Sequence, residues 1–329
     1  MLLDNHSRPI TYLRLAVTDR CNLRCHYCMP EHGLEWLSRS ELLSYEEMLR
    51  LCRVLVRLGI TKVRITGGEP FVRKDLMKFL TALSKLDGLQ QISLTTNGVV
   101  TAPLVPELKK IGLHSVNLSL DTLDRERFFQ ITRRDELPRV LETLDALLRH
   151  DILVKINAVV MDGQNTDHLI PLAEMTKDLP VDVRFIEEMP FNGGDHITNG
   201  QSFWDYRRIL QTLQERWLDL EKVPDLPFST SINYRVPGHR GKVGIIAAYS
   251  RTFCGTCNRI RVTPQGVLKT CLYDHGVLQL RDLMRTGLND TELTNHLRFA
   301  FQHRHKNGWE AEEARRGVPV EESMATIGG

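Results

Sequence analysis

No stretch of the 329-residue chain is apolar for long enough to span a bilayer, so no helical membrane anchor is expected. An excess of one charge is also missing. Lys and Arg number 43 against 41 Asp and Glu, a formal net charge of +2, so bulk composition draws the protein neither to nucleic acid nor to lipid. The opening Met1-Leu2-Leu3-Asp4-Asn5-His6 lacks the basic and apolar regions of a secretory signal, and a cytoplasmic location is expected. Low-complexity tracts are absent, and nothing repeats beyond a short strand–helix unit. What remains, with 42% hydrophobic and 26% charged residues, is an ordinary globular chain with one large core, or one large domain and a small one.

The chain does hold seven cysteines. In an intracellular protein these point to metal or redox chemistry before disulfides. Three of them crowd one run, Cys21-Asn22-Leu23-Arg24-Cys25-His26-Tyr27-Cys28. A fully protein-ligated [4Fe–4S] cluster takes four thiolates, so three on one loop leave one iron open. The rival is a zinc knuckle or three unrelated thiols, but zinc sites usually pair C-x2-C units with a Cys or His partner. The spacing C-x3-C-x2-C, with aromatic Tyr27 before the last cysteine, resembles the radical S-adenosylmethionine superfamily. That resemblance implies S-adenosylmethionine on the open iron, split by one electron into methionine and a 5′-deoxyadenosyl radical.

Short apolar strands alternate with helical periodicity through the first two thirds. Strands are expected at 12–17, 62–66, 91–95, 115–120, 154–160 and 181–186, and helices at 45–58, 74–86, 103–110, 138–150 and 167–177. Ser44 and Asp167 suit N-caps, while Gly59 and Gly112 suit helix ends. Six such units predict an open partial (β/α)6 barrel over residues 1–225, with catalytic groups at the C-terminal strand ends. From 226 to 329 a smaller domain or cap is expected. It follows the loop Asn192-Gly193-Gly194-Asp195 and a helix at 203–217. Antiparallel strands are read at 242–249, 258–262 and 267–272, and helices at 280–285 and 292–303.

Thr66-Gly67-Gly68-Glu69-Pro70 ends the second strand, and its glycines would let the backbone approach a ligand. Thr95 and Ser119 end strands three and four, either as cofactor contacts or as polar ends of buried strands. Arg14, Arg64, Lys155 and Arg184 are cations inside otherwise apolar strands. Such charges need a bound anion or a salt-bridge partner, and four of them suit a nucleotide triphosphate. Cys52 belongs to no motif and reads as a core helix cysteine.

A second set follows: Cys254-Gly255-Thr256-Cys257 and then Cys271. His275 would complete a structural Cys3His zinc site; alternatively the three thiolates hold a second open cluster. Arg259 and Arg261 alternate on one strand face and suit phosphate or a planar base, so an RNA-binding zinc module also stays open.

Several segments together resemble the GTP 3′,8-cyclases of molybdenum cofactor biosynthesis. They are the first cysteine loop, Lys62-Val63-Arg64-Ile65-Thr66-Gly67-Gly68-Glu69-Pro70, Arg184-Phe185-Ile186-Glu187-Glu188-Met189, Phe253 through Arg261, Cys271-Leu272 and the terminal Gly328-Gly329. The resemblance implies two [4Fe–4S] clusters, on Cys21, Cys25, Cys28 and on Cys254, Cys257, Cys271. It implies S-adenosylmethionine against Tyr27, Gly68, Ser119 and Met189. GTP would lie against Arg14, Arg64, Thr95, Lys155, Arg259, Ile260 and Arg261, with the Gly328-Gly329 tail reaching the active site. The implied product is (8S)-3′,8-cyclo-7,8-dihydroguanosine 5′-triphosphate. An external electron donor, a downstream cyclic pyranopterin monophosphate synthase and a homodimer complete the expectation. A peptide-modifying maturase of the same superfamily is the other enzyme to weigh, though such enzymes carry more C-terminal cysteines.

Overall fold

The computed structural model describes residues 2–30, 32–189, 191, 203–316 and 322–328. Six parallel strands lie side by side in chain order: β1 (Tyr12–Ala16), β2 (Lys62–Thr66), β3 (Gln91–Thr96), β4 (Ser115–Ser119), β5 (Leu153–Val160) and β6 (Asp182–Glu187). Against them pack α1 (Tyr45–Leu58), α2 (Leu76–Leu83), α3 (Val105–Lys110), α4 (Arg125–Thr132), α5 (Leu137–Arg149) and α6 (Leu169–Asp178). The sheet curls without closing, the expected open partial barrel.

Local chemistry explains the elements. Ser44 and Glu47 form a reciprocal capping box at the start of α1, and Gly59 closes it at φ +113°. Between them Met48, Leu51, Cys52, Leu55 and Leu58 recur at helical spacing and are buried, Cys52 among them. Along β5, Val154, Ile156, Ala158 and Val160 bury toward the helices, which turns Lys155 and Asn157 to the concave face. Two expectations fail locally. Asp167 does not cap α6; it lies inside a 3-10 turn, Thr166–His168, that runs into the helix. Helix α4 was not anticipated, because in its short span Phe128 and Ile131 are buried while Phe129 is exposed, a weak stripe.

The strands of the last third correct the reading further. β9 (Lys242–Ile246) and β10 (Arg259–Val262) do not pair with each other. β9 joins β6 in parallel and β10 joins β1 in parallel, on opposite edges of the barrel sheet. Val243, Gly244 and Ile245 are buried in succession on β9, as suits a parallel strand covered on both faces, whereas β10 alternates, burying Ile260 and Val262 and turning its arginines to the cavity. On their outer sides β9 and β10 take antiparallel neighbours, β8 (Ile232–Arg235) and then β7 (Glu221–Lys222) at one edge, β11 (Val267–Lys269) and then β12 (Leu278–Gln279) at the other. Strands from both sides of position 226 thus share one sheet. Helices α7 (Tyr206–Arg216), α8 (Leu280–Arg285), α9 (Asp290–Phe301), α10 (Gly308–Glu313) and α11 (Met324–Ile327) complete the fold. The 192–195 loop and Gly329 lie outside the described residues. Among the described residues no helix is long and apolar enough to cross a membrane.

Candidate functional site

A cavity of about 590 Å³ runs along the concave face of the barrel. It extends from Tyr12 and Lys62 at strand starts to Gly68, Ser119 and Met189 at or beyond strand ends, and all six motif cysteines line it. Cys21, Cys25 and Cys28 follow the C-terminal end of β1. Cys254 and Cys257 precede the start of β10, which runs parallel to β1, so the two sets stand toward opposite ends of the barrel.

The first cysteine loop is held by the strand-end motif. Gly68 N–H donates to Thr18 O at 2.8 Å, and Glu69 N–H to Arg20 O at 2.8 Å. A Cβ on Gly67 would stand 2.4 Å from Thr18 O, and one on Gly68 2.3 Å from Arg20 O. The glycines are therefore required by the chain's own backbone at residues 18–20, and both also line the cavity. Glu69 is fully buried and points away from the cavity. It accepts from Asn97 N–H (2.7 Å) and the Thr96 hydroxyl (2.9 Å), tying β2 to β3, while burial pushes its carboxyl up to about 7.

Around the thiols, Leu23 N–H and Asn97 Nδ2 donate to Cys21 Sγ at 3.4 and 3.6 Å. Burial pushes the free thiols up, Cys21 to about 11 and Cys28 to about 12. A bound cation reverses that preference, since a coordinating thiol is deprotonated outright. Three partly buried cysteines that face one cavity, with hydrogen-bond donors aimed at Cys21, fit an iron–sulfur cluster. Tyr27 donates its hydroxyl to Asp121 Oδ2 at 2.9 Å, and Val159 N–H donates to the other Asp121 oxygen at 2.8 Å. Asp121, raised to about 6 by burial, lines the cavity and was not singled out beforehand, although it follows Ser119 closely in sequence.

The cations form a register. Arg261, Arg14 and Arg64 are direct lateral neighbours on β10, β1 and β2; Thr95, Asn117 and Lys155 are likewise neighbours on β3, β4 and β5. Arg64 is held by neutral groups, donating Nε to the Tyr12 hydroxyl (2.5 Å) and Nη1 to Leu94 O (3.0 Å). Among the described residues, Arg14, Lys62, Arg64, Lys155, Arg184, Arg259 and Arg261 form no ion pair, so the salt-bridge alternative finds no partner. Buried Arg14 Nε, Arg184 Nε and Nη2, and Thr95 Oγ1 have no hydrogen-bond partner among the described residues. Burial and neighbouring Arg184 bring Lys155 down to about 8. Tyr12 is pushed up by burial but brought down to about 7 by Arg64, Arg14 and Lys62. Unpaired buried charge of one sign is costly, and a polyanion in the cavity would relieve it. Ile260 lies between the two arginines of β10 but buries its side chain in the main core.

At the other end, burial pulls Cys257 up, but Arg259 and Arg304 outweigh it and bring the thiol down to about 6. Arg304 is buried, donating to Asp4 Oδ2 (2.9 Å), to the Arg259 and Thr270 carbonyls (both 3.0 Å) and toward Cys257 Sγ (3.9 Å). Arg8 reaches the Cys254 carbonyl at 3.1 Å. Neither Arg8 nor Arg304 carries a motif that would have drawn notice. His275 is exposed and lies outside the cavity lining, so it does not complete a Cys3His zinc site. Arg259 and Arg261 line the cavity rather than an outer surface, which removes the basis for an RNA contact. Gly328 at φ +84° lies against the ends of β1 and β2, its carbonyl accepting from Arg261 Nη1 at 2.6 Å.

Comparison with known proteins agrees with this geometry. Residues 15–176 match the Radical SAM superfamily model and residues 181–309 the Molybdenum Cofactor Synthesis C model. Molybdenum cofactor biosynthesis protein 1 of Bos taurus is 44% identical over 89% of this chain and 46% of that protein. The chain thus spans about half the length of such animal relatives. The mitochondrial GTP 3′,8-cyclase of Arabidopsis thaliana is 40% identical over 89% of this chain and 75% of its own. The GTP 3′,8-cyclase of Syntrophomonas wolfei is 39% identical over 100% of both chains. In fold, the crystal structure of Streptococcus suis SuiB bound to S-adenosylmethionine is similar at TM-score 0.63 and 18% identity, covering 89% of this chain and 68% of that one. With 39% identity over the full length of one such enzyme and both halves matched, this chain belongs to the GTP 3′,8-cyclase family of the radical SAM superfamily.

Proposed function

We propose that this chain, holding two [4Fe–4S] clusters and S-adenosylmethionine, converts GTP to (8S)-3′,8-cyclo-7,8-dihydroguanosine 5′-triphosphate, the first step of molybdenum cofactor biosynthesis. The observation that carries the proposal is one cavity lined by two cysteine triads and by cations that, among the described residues, form no ion pair with a carboxylate. Cys21, Cys25 and Cys28 would hold the cluster that, with S-adenosylmethionine bound, supplies one-electron bond cleavage; Cys254, Cys257 and Cys271 would hold the second. The chain's own groups do the rest. Gly68, Ser119, Met189 and the Tyr27–Asp121 pair border the S-adenosylmethionine space. Arg14, Arg64, Thr95, Lys155, Arg259 and Arg261 take the triphosphate and base, with Ile260 packing the strand behind the arginines. The curled sheet keeps bulk water from the reacting ribose. An external electron donor, a downstream cyclic pyranopterin monophosphate synthase, a cytoplasmic location and a homodimer belong to the same proposal. So does a division of labour at residue 226, the last third carrying the second cluster and the tail.

Anaerobically reconstituted protein, given GTP, S-adenosylmethionine and dithionite, should yield 5′-deoxyadenosine and the cyclised nucleotide together. 5′-Deoxyadenosine forming without any change in GTP would reject GTP as the substrate.

The cation register makes a second expectation. Arg64→Ala or Lys155→Ala should weaken GTP by roughly ten- to a hundredfold, the loss of one charge-assisted bond to phosphate. Calorimetry should show S-adenosylmethionine affinity little changed; unchanged GTP affinity would show that these cations do not face the nucleotide. pH dependence follows in sign. Lys155 binds an anion when protonated, and with its value near 8 it loses that charge as pH rises through 8. Tyr12, near 7, gains negative charge over the same range. GTP affinity should therefore fall from pH 7 to 9, and Lys155→Arg should flatten the upper part of that fall.

A further inference from the structure

The cation register has a fourth member. Lys269 on β11 pairs directly with Arg261, which pairs with Arg14, which pairs with Arg64, so four cations cross four adjacent strands. Directly opposed residues of paired strands point to the same face. Lys269 should therefore join the others on the cavity side, yet its side chain is fully covered and the cavity does not reach it. The cover is the C-terminal segment, and Lys269 Nζ is ion-paired there with Glu322. Among the described residues it is the one cation of this row with a carboxylate partner.

The residues that follow Glu322 go straight to the first cysteine loop. Ser323 donates its hydroxyl to the Cys28 carbonyl at 2.5 Å, and Ala325 N–H donates to the Ser323 oxygen at 3.2 Å. Ile327 is then buried with Phe191, Tyr273 and Ala311, and Gly328 O takes the Arg261 bond. A segment this short, with one four-residue helix, has little intrinsic stability of its own. Its position must come from the contacts it makes, and a buried ammonium without a carboxylate is strongly disfavoured. The pair acts at the point where the segment enters.

We propose that the Lys269–Glu322 pair is the latch that seats the C-terminal segment, so that Lys269 is a positioning residue acting through the tail on Cys28 and Arg261. One end of the substrate-facing row is thereby spent on the protein's own carboxylate, which fixes where the cavity stops. The latch stands on geometry alone; its consequence for the reaction rests on the function proposed above.

The test uses the cluster-loaded protein with Glu322→Gln, which keeps the shape and removes the charge. Hydrogen exchange of segment 322–328, measured without GTP, should accelerate by about tenfold or more, the loss of one charge-assisted bond. Glu322→Asp should restore part of the protection, since it restores the charge. Losing the Ser323 bond to the Cys28 carbonyl should also shift the reduction potential of the cluster on the first loop, because the loop's exposure and hydrogen bonding help set it. Unchanged exchange in Glu322→Gln would overturn the latch. So would acceleration spread equally through β1 and β11, which would make the pair a general brace. Because neither readout uses GTP, a failed latch is distinguishable from a wrong substrate. If both hold, turnover should uncouple, with 5′-deoxyadenosine exceeding cyclised nucleotide in Glu322→Gln.

Discussion

Replacing any one of Cys21, Cys25 or Cys28 by Ser is expected to reduce 5′-deoxyadenosine formation to background. These three thiols share one loop between β1 and α1, and no fourth cysteine lies in that loop to take the place of a missing one. Cys52 is buried inside α1 and separated from the cavity. A serine hydroxyl is a harder, far less acidic ligand than a thiol and suits iron–sulfur chemistry poorly. The loop itself should persist. Its backbone is tied by Arg24 N–H to Thr132 O at 2.9 Å and by the Gly68 and Glu69 bonds to residues 18–20. Iron content should therefore fall from about eight to about four per chain, with the Cys254, Cys257 and Cys271 site still loaded. Parallel iron analysis and quantitation of 5′-deoxyadenosine under dithionite decide the matter. Normal yield from any of the three variants would remove the cluster from this loop.

Gly328→Ala, or removal of Gly328 and Gly329, is expected to cost about a hundredfold in cyclised product, the scale of a misplacement near 1 Å. An added Cβ at 328 would stand 2.7 Å from Thr66 Cγ2 and 2.9 Å from Ala16 Cβ, both closer than contact. The residue also sits at φ +84°, where an L side chain is strained. The barrel strands are fixed by their ladders, whereas the tail past Ile327 is held by fewer bonds and gives way first. Relief should therefore come from the tail, and withdrawal breaks the bond from Arg261 to Gly328 O. The barrel should stay folded and loaded with iron, because the strain at 328 falls on the tail and not on the strand ladders. Product formation is to be compared with iron content and melting temperature. Full activity would make the tail dispensable, and loss of iron would make it structural.

Much of this was legible in the residues, where the controlling interaction is local. The ends of α1 follow from Ser44, Glu47 and Gly59, and the bounds of β2 from its apolar run and the Gly-Gly that stops it. The cysteine spacing likewise names its own chemistry. What escaped depends on partners far away in sequence. Nothing within 242–249 or 258–262 says that one strand joins β6 and the other β1; only the barrel's two open edges decide it. Lys269, in Val267-Leu268-Lys269-Thr270, reads as a surface lysine until β11 places it beside Arg261. Arg304 and Asp4 come from opposite ends of the chain and meet behind Cys257. The glycines at 67 and 68 stand out in the sequence, but their close approach to the backbone of residues 18–20 does not.

The placement of β10 bears on how the protein is made. β1 acquires β2 soon after it is synthesised, but its other edge waits for Arg259 to Val262, which follow only after all six barrel strands. Pairings so distant in sequence form slowly, and an unpaired strand edge is an invitation to aggregate in the meantime. During translation the nascent barrel therefore has one wall missing beside the very strand that carries the first cysteine loop. Iron delivery to that loop is best matched to a finished chain rather than a growing one, and the unloaded, newly released protein is the species a chaperone would have most reason to hold.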